Sequence, residues 1–327
     1  MRKALLVALA CLLPASAARA QVELEPKDAL LHHTSCMVSS LALTPDGKTL
    51  LAGTMRSPRV IFWDVAKMKE RAVHDPHSQH VFHVAMTADG KIAASVGAEN
   101  SIVVWDVATA KPRNKLDGLR PHKKIVFLAF LPDNKTLITG GQEGDVKIID
   151  TASLEEKGTF RGKVRRLDFA ALSPDGKLLA AAPGALADEI QMWDVEARRP
   201  KAPIKDWPNP RSAMTFSKDG KLFAAVGGNP EGFVRVWDVE THKPRLTLKH
   251  PADVRAVAFD PASKRLACAD ASTIHLWDLR TGDKLAILKG HALNIEALVF
   301  SPDGATLYSG ARDARVMIWD VGRIEQK

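Results

Sequence analysis

Apolar and β-branched residues come in short runs along this chain, and polar turn residues break them up. Val254-Arg-Ala-Val-Ala-Phe259 leads into one such turn, and Thr306-Leu-Tyr-Ser309 follows another. Val234-Arg-Val-Trp237 alternates apolar and polar positions and ends on tryptophan. Runs of this length and period predict strands. A fourth strand is expected beyond each tryptophan, after a turn such as Val239-Glu-Thr-His-Lys243. The repeating unit is therefore four short antiparallel strands. One such sheet cannot bury both of its faces alone, so the units must stack on one another.

The repeat is regular. Trp-Asp occurs at Trp63-Asp64, Trp105-Asp106, Trp193-Asp194, Trp237-Asp238, Trp277-Asp278 and Trp319-Asp320, and Ile149-Asp150 fills the one gap. Successive positions are 42, 44, 44, 44, 40 and 42 residues apart. A turn keeps the same beat: Thr44-Pro45-Asp46-Gly47, Thr87-Ala88-Asp89-Gly90, Leu131-Pro132-Asp133-Asn134, Ser173-Pro174-Asp175-Gly176, Ser217-Lys218-Asp219-Gly220 and Ser301-Pro302-Asp303-Gly304. The sixth unit has a degenerate version, Asp260-Pro261-Ala262-Ser263. Asp-Gly supplies the positive φ that a tight hairpin needs.

Seven repeats with two phased landmarks resemble the WD-repeat (WD40) family from about Val22 to the C-terminus. The resemblance implies an all-β, seven-bladed propeller of four-stranded antiparallel blades. It also implies a hydrogen-bonded tetrad inside a blade, and blade 7 matches it throughout with His291, Ser309, Asp313 and Trp319. Blade 2 has His77 and Trp105 but Glu99 at the Asp position. Blade 4 puts Lys163, and blade 5 Trp207, where the histidine belongs. A buried polar network helps only when it is complete, so blades 2, 4 and 5 are expected to rely on apolar packing.

The ends add two expectations. After Trp319-Asp320 only seven residues remain, too few for a turn and an outer strand. Lys27-Asp28-Ala29-Leu30-Leu31 precedes His32-His33 much as Lys284-Leu285-Ala286-Ile287-Leu288 precedes Gly290-His291, so the N-terminal segment is expected to form the outer strand of blade 7 and protect its edge. His32-His33 reads as a displaced tetrad histidine. Residues 1–20 have the three parts of a secretory signal: Met1-Arg2-Lys3, the apolar run Ala4 to Leu13, and Ala18-Arg19-Ala20. Cleavage after Ala20 would leave a propeller of residues 21–327, periplasmic or secreted, in a bacterial-type host. The run is shorter than the roughly 20 residues a membrane span needs and is broken by Pro14, so no membrane insertion is expected after cleavage.

Charge argues against nucleic acid. The chain carries 46 Lys+Arg against 38 Asp+Glu, a net +8, which falls to +5 without Arg2, Lys3 and Arg19. The basic residues are scattered, whereas a nucleic-acid binder concentrates them in a stripe. Cys36 and Cys268 fall in blades 1 and 6, so two buried thiols are expected rather than a disulfide. Asn134-Lys135-Thr136 is a glycosylation sequon only in a host that glycosylates exported proteins.

No hydrolase, zinc-protease, P-loop or dinucleotide motif is present. Neither a catalytic set nor a cofactor is expected. His74, His77, His80 and His83 are the sharpest metal candidates, but they span a loop and a strand and need not converge. His83 is expected to face between blades. The family resemblance implies a monomeric, non-catalytic scaffold for other proteins. An exported propeller enzyme, or a small-ligand or metal binder using the central mouth, is the alternative. Carrying the family's top-face positions onto each repeat gives Met37 and Ser39 in blade 1, His80 and Phe82 in blade 2, and Lys124, Val126 and Gln142 in blade 3. Blade 4 gives Arg166 and Asp168, blade 5 Ser212, blade 6 Asp253 and Arg255, and blade 7 Asn294, Glu296 and Arg312. Apolar groups would gather on blades 1 to 3 and charges on blades 4, 6 and 7.

Overall fold

The computed structural model describes residues 22–31, 36–119, 124–161, 166–182, 189–205, 207, 212–227 and 232–324. The leader pattern of residues 1–20, His32-His33 and Lys163 lie outside them. The fold is a seven-bladed β-propeller, one antiparallel four-stranded sheet per repeat. Blade 1 runs Met37–Leu43, Thr49–Met55, Val60–Asp64 and Lys69–His74 from the axis outward. Blades 2 to 6 repeat this order. Among the described residues there is no helix.

In blade 7 the strands Ile295–Phe300, Thr306–Ala311 and Arg315–Asp320 are joined by Asp28–Leu31, which pairs antiparallel with the third strand. One strand was not legible in the sequence. Val22–Leu24 pairs in parallel with Lys284–Lys289, the outer strand of blade 6, and makes that sheet five-stranded. Residues 22–31 therefore strap the last two blades together. Pro26 sits over Gly290, where a Cβ would come within 3.0 Å of it.

The core is a set of apolar seams between blades, as stacking requires. Blade 7 meets blade 1 through Tyr308, Val316 and Ile318 against Val38, Leu50 and Ile61, with Leu30 in the same cluster. Blade 6 meets blade 7 through Leu276, Leu288, Leu307 and Trp319.

The turn landmark is a small polar device. Gly47 takes φ 71°, Thr44 Oγ1 donates to Asp46 at 2.6 Å, and Asp46 accepts from Lys48 N at 3.0 Å. The Thr44 hydroxyl, with the Lys48 amide, holds the Asp46 carboxyl below its ordinary pKa. Where glycine is missing, Asn134 and Ser263 take the positive φ instead. In the degenerate blade 6 turn, Asp260 replaces the hydroxyl residue. It accepts from Lys264 N and Arg265 N at 2.8 and 3.0 Å, and pairs with Arg265 Nε at 3.0 Å. Arg265 then reaches into blade 7 and donates to Gly304 O and Val321 O, both at 2.6 Å. The degeneracy thus builds a buried blade-to-blade bond. The Asp of Trp-Asp has a similar local role: Asp106 accepts from Thr109 N at 2.8 Å and Asp238 from Thr241 N at 2.9 Å.

His291, Ser309, Asp313 and Trp319 lie on one hydrogen-bonded chain. His291 meets Asp313 at 2.8 Å and Ser309 at 2.7 Å, and Trp319 Nε1 donates to Ser309 at 2.8 Å. Blade 2 departs from expectation, because its network is also complete. His77 meets Glu99 at 2.7 Å, Ser101 at 2.9 Å and Ser95 at 2.8 Å, and Trp105 Nε1 donates to Ser95 at 3.0 Å. The compensation lies two residues upstream. A Cβ on Gly97 would come within 2.6 Å of both Glu99 oxygens and 2.5 Å of His77 Nδ1. Blade 7 has the larger Ala311 with the shorter Asp313, and blade 2 has the smaller Gly97 with the longer Glu99. Gly97→Ala is therefore expected to cost about 1–3 kcal/mol by overpacking. Adding Glu99→Asp should recover most of that loss. Urea melts of the two single mutants and the double mutant check this, and simple additivity would refute the compensation.

Blade 5 uses apolar packing, as expected. Trp207 is fully buried, stacks edge-on against Trp237 at 4.8 Å, and fills the space over Gly227. Cys36 and Cys268 are buried free thiols.

Candidate protein-binding mouth

The inner strands shape the top of the channel by a shared irregularity. In five blades the pairing of the inner strand skips one residue: Ser39, Phe82, Val126, Arg255 and Glu296. The residue before each skip is buried in a seam: Val38, Val81, Ile125, Val254 and Ile295. A bulge of this kind re-aims one side chain while the strand stays anchored. Here the re-aimed side chains converge on the channel mouth.

The mouth encloses about 720 Å³ and draws lining residues from all seven blades. Eleven of the fifteen residues expected on the top face line it: Ser39, Phe82, Lys124, Val126, Gln142, Arg166, Asp168, Ser212, Asp253, Arg255 and Glu296. Met37, His80, Asn294 and Arg312 do not. Met55, the cross-strand partner of Met37, takes the expected place of Met37. His80 accepts from Arg56 N at 2.9 Å instead. Arg312 stands behind Glu296 and donates to it at 2.6 Å.

Several side chains have structural duties. Ser39 donates to Val81 O at 2.5 Å and Ser212 to Val254 O at 2.6 Å, so both serines stitch their blade to the next. Val126 is 9% exposed and belongs mainly to the seam between blades 3 and 4. Phe82 does both. Its half-buried ring packs at the edge of the seam between blades 2 and 3, and it also lines the mouth with Lys124 Nζ 4.6 Å from its centre. His83 lies at the boundary and reaches the mouth, although sequence alignment placed it between blades. Burial, with the Lys124 charge, pushes its imidazole down to about 4, so it is neutral at neutral pH.

Charges at the mouth neutralise one another. Arg166 Nε contacts both Asp168 oxygens at 2.9–3.0 Å. Glu296 is held by Arg312 and lies 3.6 Å from Arg255. Met55, Phe82, Val126 and Phe169 make the apolar part of the rim on blades 1 to 4, and charged pairs make the part on blades 4, 6 and 7. Asp168 and Glu296 are each engaged by arginine, unlike a carboxylate pair poised for acid–base work.

The histidine run does not converge. His77 is committed to the blade 2 network, and His74 packs against Trp105 at 5.2 Å. Among the described residues the one compact group with metal-ligand chemistry is elsewhere, at His250, Asp270 and His275 in blade 6. Sequence reasoning missed it because His275 sits alone in a strand, and only the register sets it beside the other two.

The family described as "WD domain, G-beta repeat" (WD40) matches residues 24–64, 68–106, 113–150, 242–278 and 282–320. The chain belongs to the WD-repeat family. The stretch between the third and fourth matches holds blade 4 and most of blade 5. This WD-repeat protein is 26% identical over 246 residues to the serine-threonine kinase receptor-associated protein of Gallus gallus, covering 74% of this chain and 67% of that one. It is 26% identical over 134 residues to WD repeat-containing protein SL1-17 of Schistosoma mansoni, with 41% and 43% covered. Protein tipD of Dictyostelium discoideum is 21% identical over 250 residues, with 75% and 40% covered. The matches thus cover 43% and 40% of the last two relatives' lengths. All three are eukaryotic and lend no support to the bacterial-type origin read from the leader. WD-repeat propellers generally bind other proteins and are generally non-catalytic.

Proposed function

We propose that this WD-repeat protein is an extracytoplasmic, non-catalytic scaffold that holds a partner protein at the mouth of its channel. The five bulged inner strands carry this reading, since they aim Phe82, Arg255 and Glu296 at one opening. An apolar sector beside a charged one is the anatomy of a recognition patch, and an accessible aromatic is its natural hot spot.

Affinity capture with the mature chain from an extracytoplasmic extract tests the reading. Phe82→Ala is expected to weaken the captured complex by about 2 kcal/mol and to cost about 1 kcal/mol of fold stability for its seam contacts. Unchanged binding would move the site off this sector. Export rests on the leader pattern of residues 1–20. N-terminal sequencing of protein from its host should begin at Gln21, and a cytosolic chain that retains Met1 would overturn the location.

A further inference from the structure

Blade 6 contains a buried polar cluster that the scaffold reading does not use. His250, Asp270 and His275 are each 3–4% exposed. Asp270 bridges the two imidazoles, with His250 Nδ1 at 3.2 Å and His275 Nε2 at 3.1 Å. His250 Nε2 and His275 Nδ1 are buried with no hydrogen-bond partner among the described residues. Blades 2 and 7 differ on this point, since both nitrogens of His77 and of His291 are satisfied.

The register shows how the cluster arises. Cys268 pairs with His275 across the second and third strands, where blade 7 pairs Ser309 with Met317 and blade 2 pairs Ser95 with Val103. Blade 6 has therefore lost the tetrad hydroxyl and gained an imidazole in an apolar position. Trp277 Nε1, which would have donated to that hydroxyl, has no partner.

We propose that His250, Asp270 and His275 bind one divalent transition-metal ion of the zinc class. One donor atom from each residue lies within 4.8 Å of the others. His275 Nε2 lies 3.1 Å from one Asp270 oxygen and His250 Nδ1 3.2 Å from the other, each near the roughly 3.4 Å ligand–ligand edge of a tetrahedral zinc site. Two imidazoles and a carboxylate are a zinc-type donor set. On binding, each ring proton now directed at Asp270 moves to the other nitrogen of its ring, and the ion takes the place of the two hydrogen bonds.

The test uses the full chain refolded from urea with zinc ion and then dialysed against metal-free buffer. Elemental analysis should find about one zinc per chain, and the same procedure with cobalt(II) should give the strong visible absorption of a tetrahedral site. His275→Met puts the blade 7 residue at this position and should fold, as circular dichroism will show, yet retain less than a tenth of the metal. Asp313→Asn in blade 7 should retain all of it. Wild-type chain without stoichiometric zinc, or undiminished metal in a folded His275→Met variant, would overturn the proposal. If His275→Met does not fold, His250→Gln serves in its place with the same two outcomes.

Discussion

A chain that begins at residue 32 is expected to lose more than about 4 kcal/mol of stability relative to one that begins at Val22. The loss has three sources. Deleting Asp28–Leu31 removes the outer strand of blade 7 and its ladder to Arg315–Ile318. It removes Leu30, a buried member of the seam between blades 7 and 1, worth about 2 kcal/mol by burial alone. It also exposes Val316 and Ile318, which lie at the same seam. A chain that begins at Lys27 separates these contributions. It loses only the three-residue parallel strand Val22–Leu24 and the packing of Pro26 on Gly290, and should lose no more than about a third as much. Thermal and urea melts of the three chains decide the matter. Equal, small losses from both truncations would mean that blade 7 holds its edge without this segment.

Arg265→Met is expected to cost about 3–5 kcal/mol, because it breaks a buried ion pair by removing one partner. Asp260 is 3% exposed and would lose its cation. The carbonyls of Gly304 and Val321 would lose the Arg265 guanidinium as a donor. Arg265→Lys keeps the charge but loses the planar fork that serves three acceptors, so it should fall between wild type and Met. Pairing Arg265→Met with Asp260→Asn should recover part of the loss, since Asn can still accept from the amides of Lys264 and Arg265. A cost below about 1 kcal/mol for Arg265→Met, the value of an exposed pair, would show that the pair contributes no more than a surface one.

The contrast between these residues shows what can be read from a sequence of this kind. Trp-Asp and Asp-Gly recur at a nearly constant period because each serves a local turn, and local turns depend only on neighbouring residues. The blades, their number and their strand order follow from that. Eleven mouth residues were legible for a related reason: each repeat places its inner strand at a fixed offset from its turn. Gly97, Arg265 and His275 belong to another class. Gly97 matters because Glu99 folds back over it, Arg265 because blade 7 lies alongside, and His275 because the register sets it near Asp270. Each depends on a neighbour chosen by tertiary packing, which no period reports. Ser39 and Ser212 make the complementary point. Position placed them at the mouth, but their hydroxyls are spent on carbonyls of the next blade.

The strap across blades 6 and 7 also sets an order of events during synthesis. Asp28 pairs opposite Ile318, and Val22 opposite Ala286. These two strands therefore find their partners only after the blades between them in sequence have been made. Until then two short strands with an apolar side remain unpaired, while the blades between them can form from contacts close in sequence. Closing so long a loop is slow, since the entropy of bringing its ends together must be spent before any contact repays it. Pairing of residues 22–31 with blades 6 and 7 is therefore expected to follow the blades formed from contacts close in sequence.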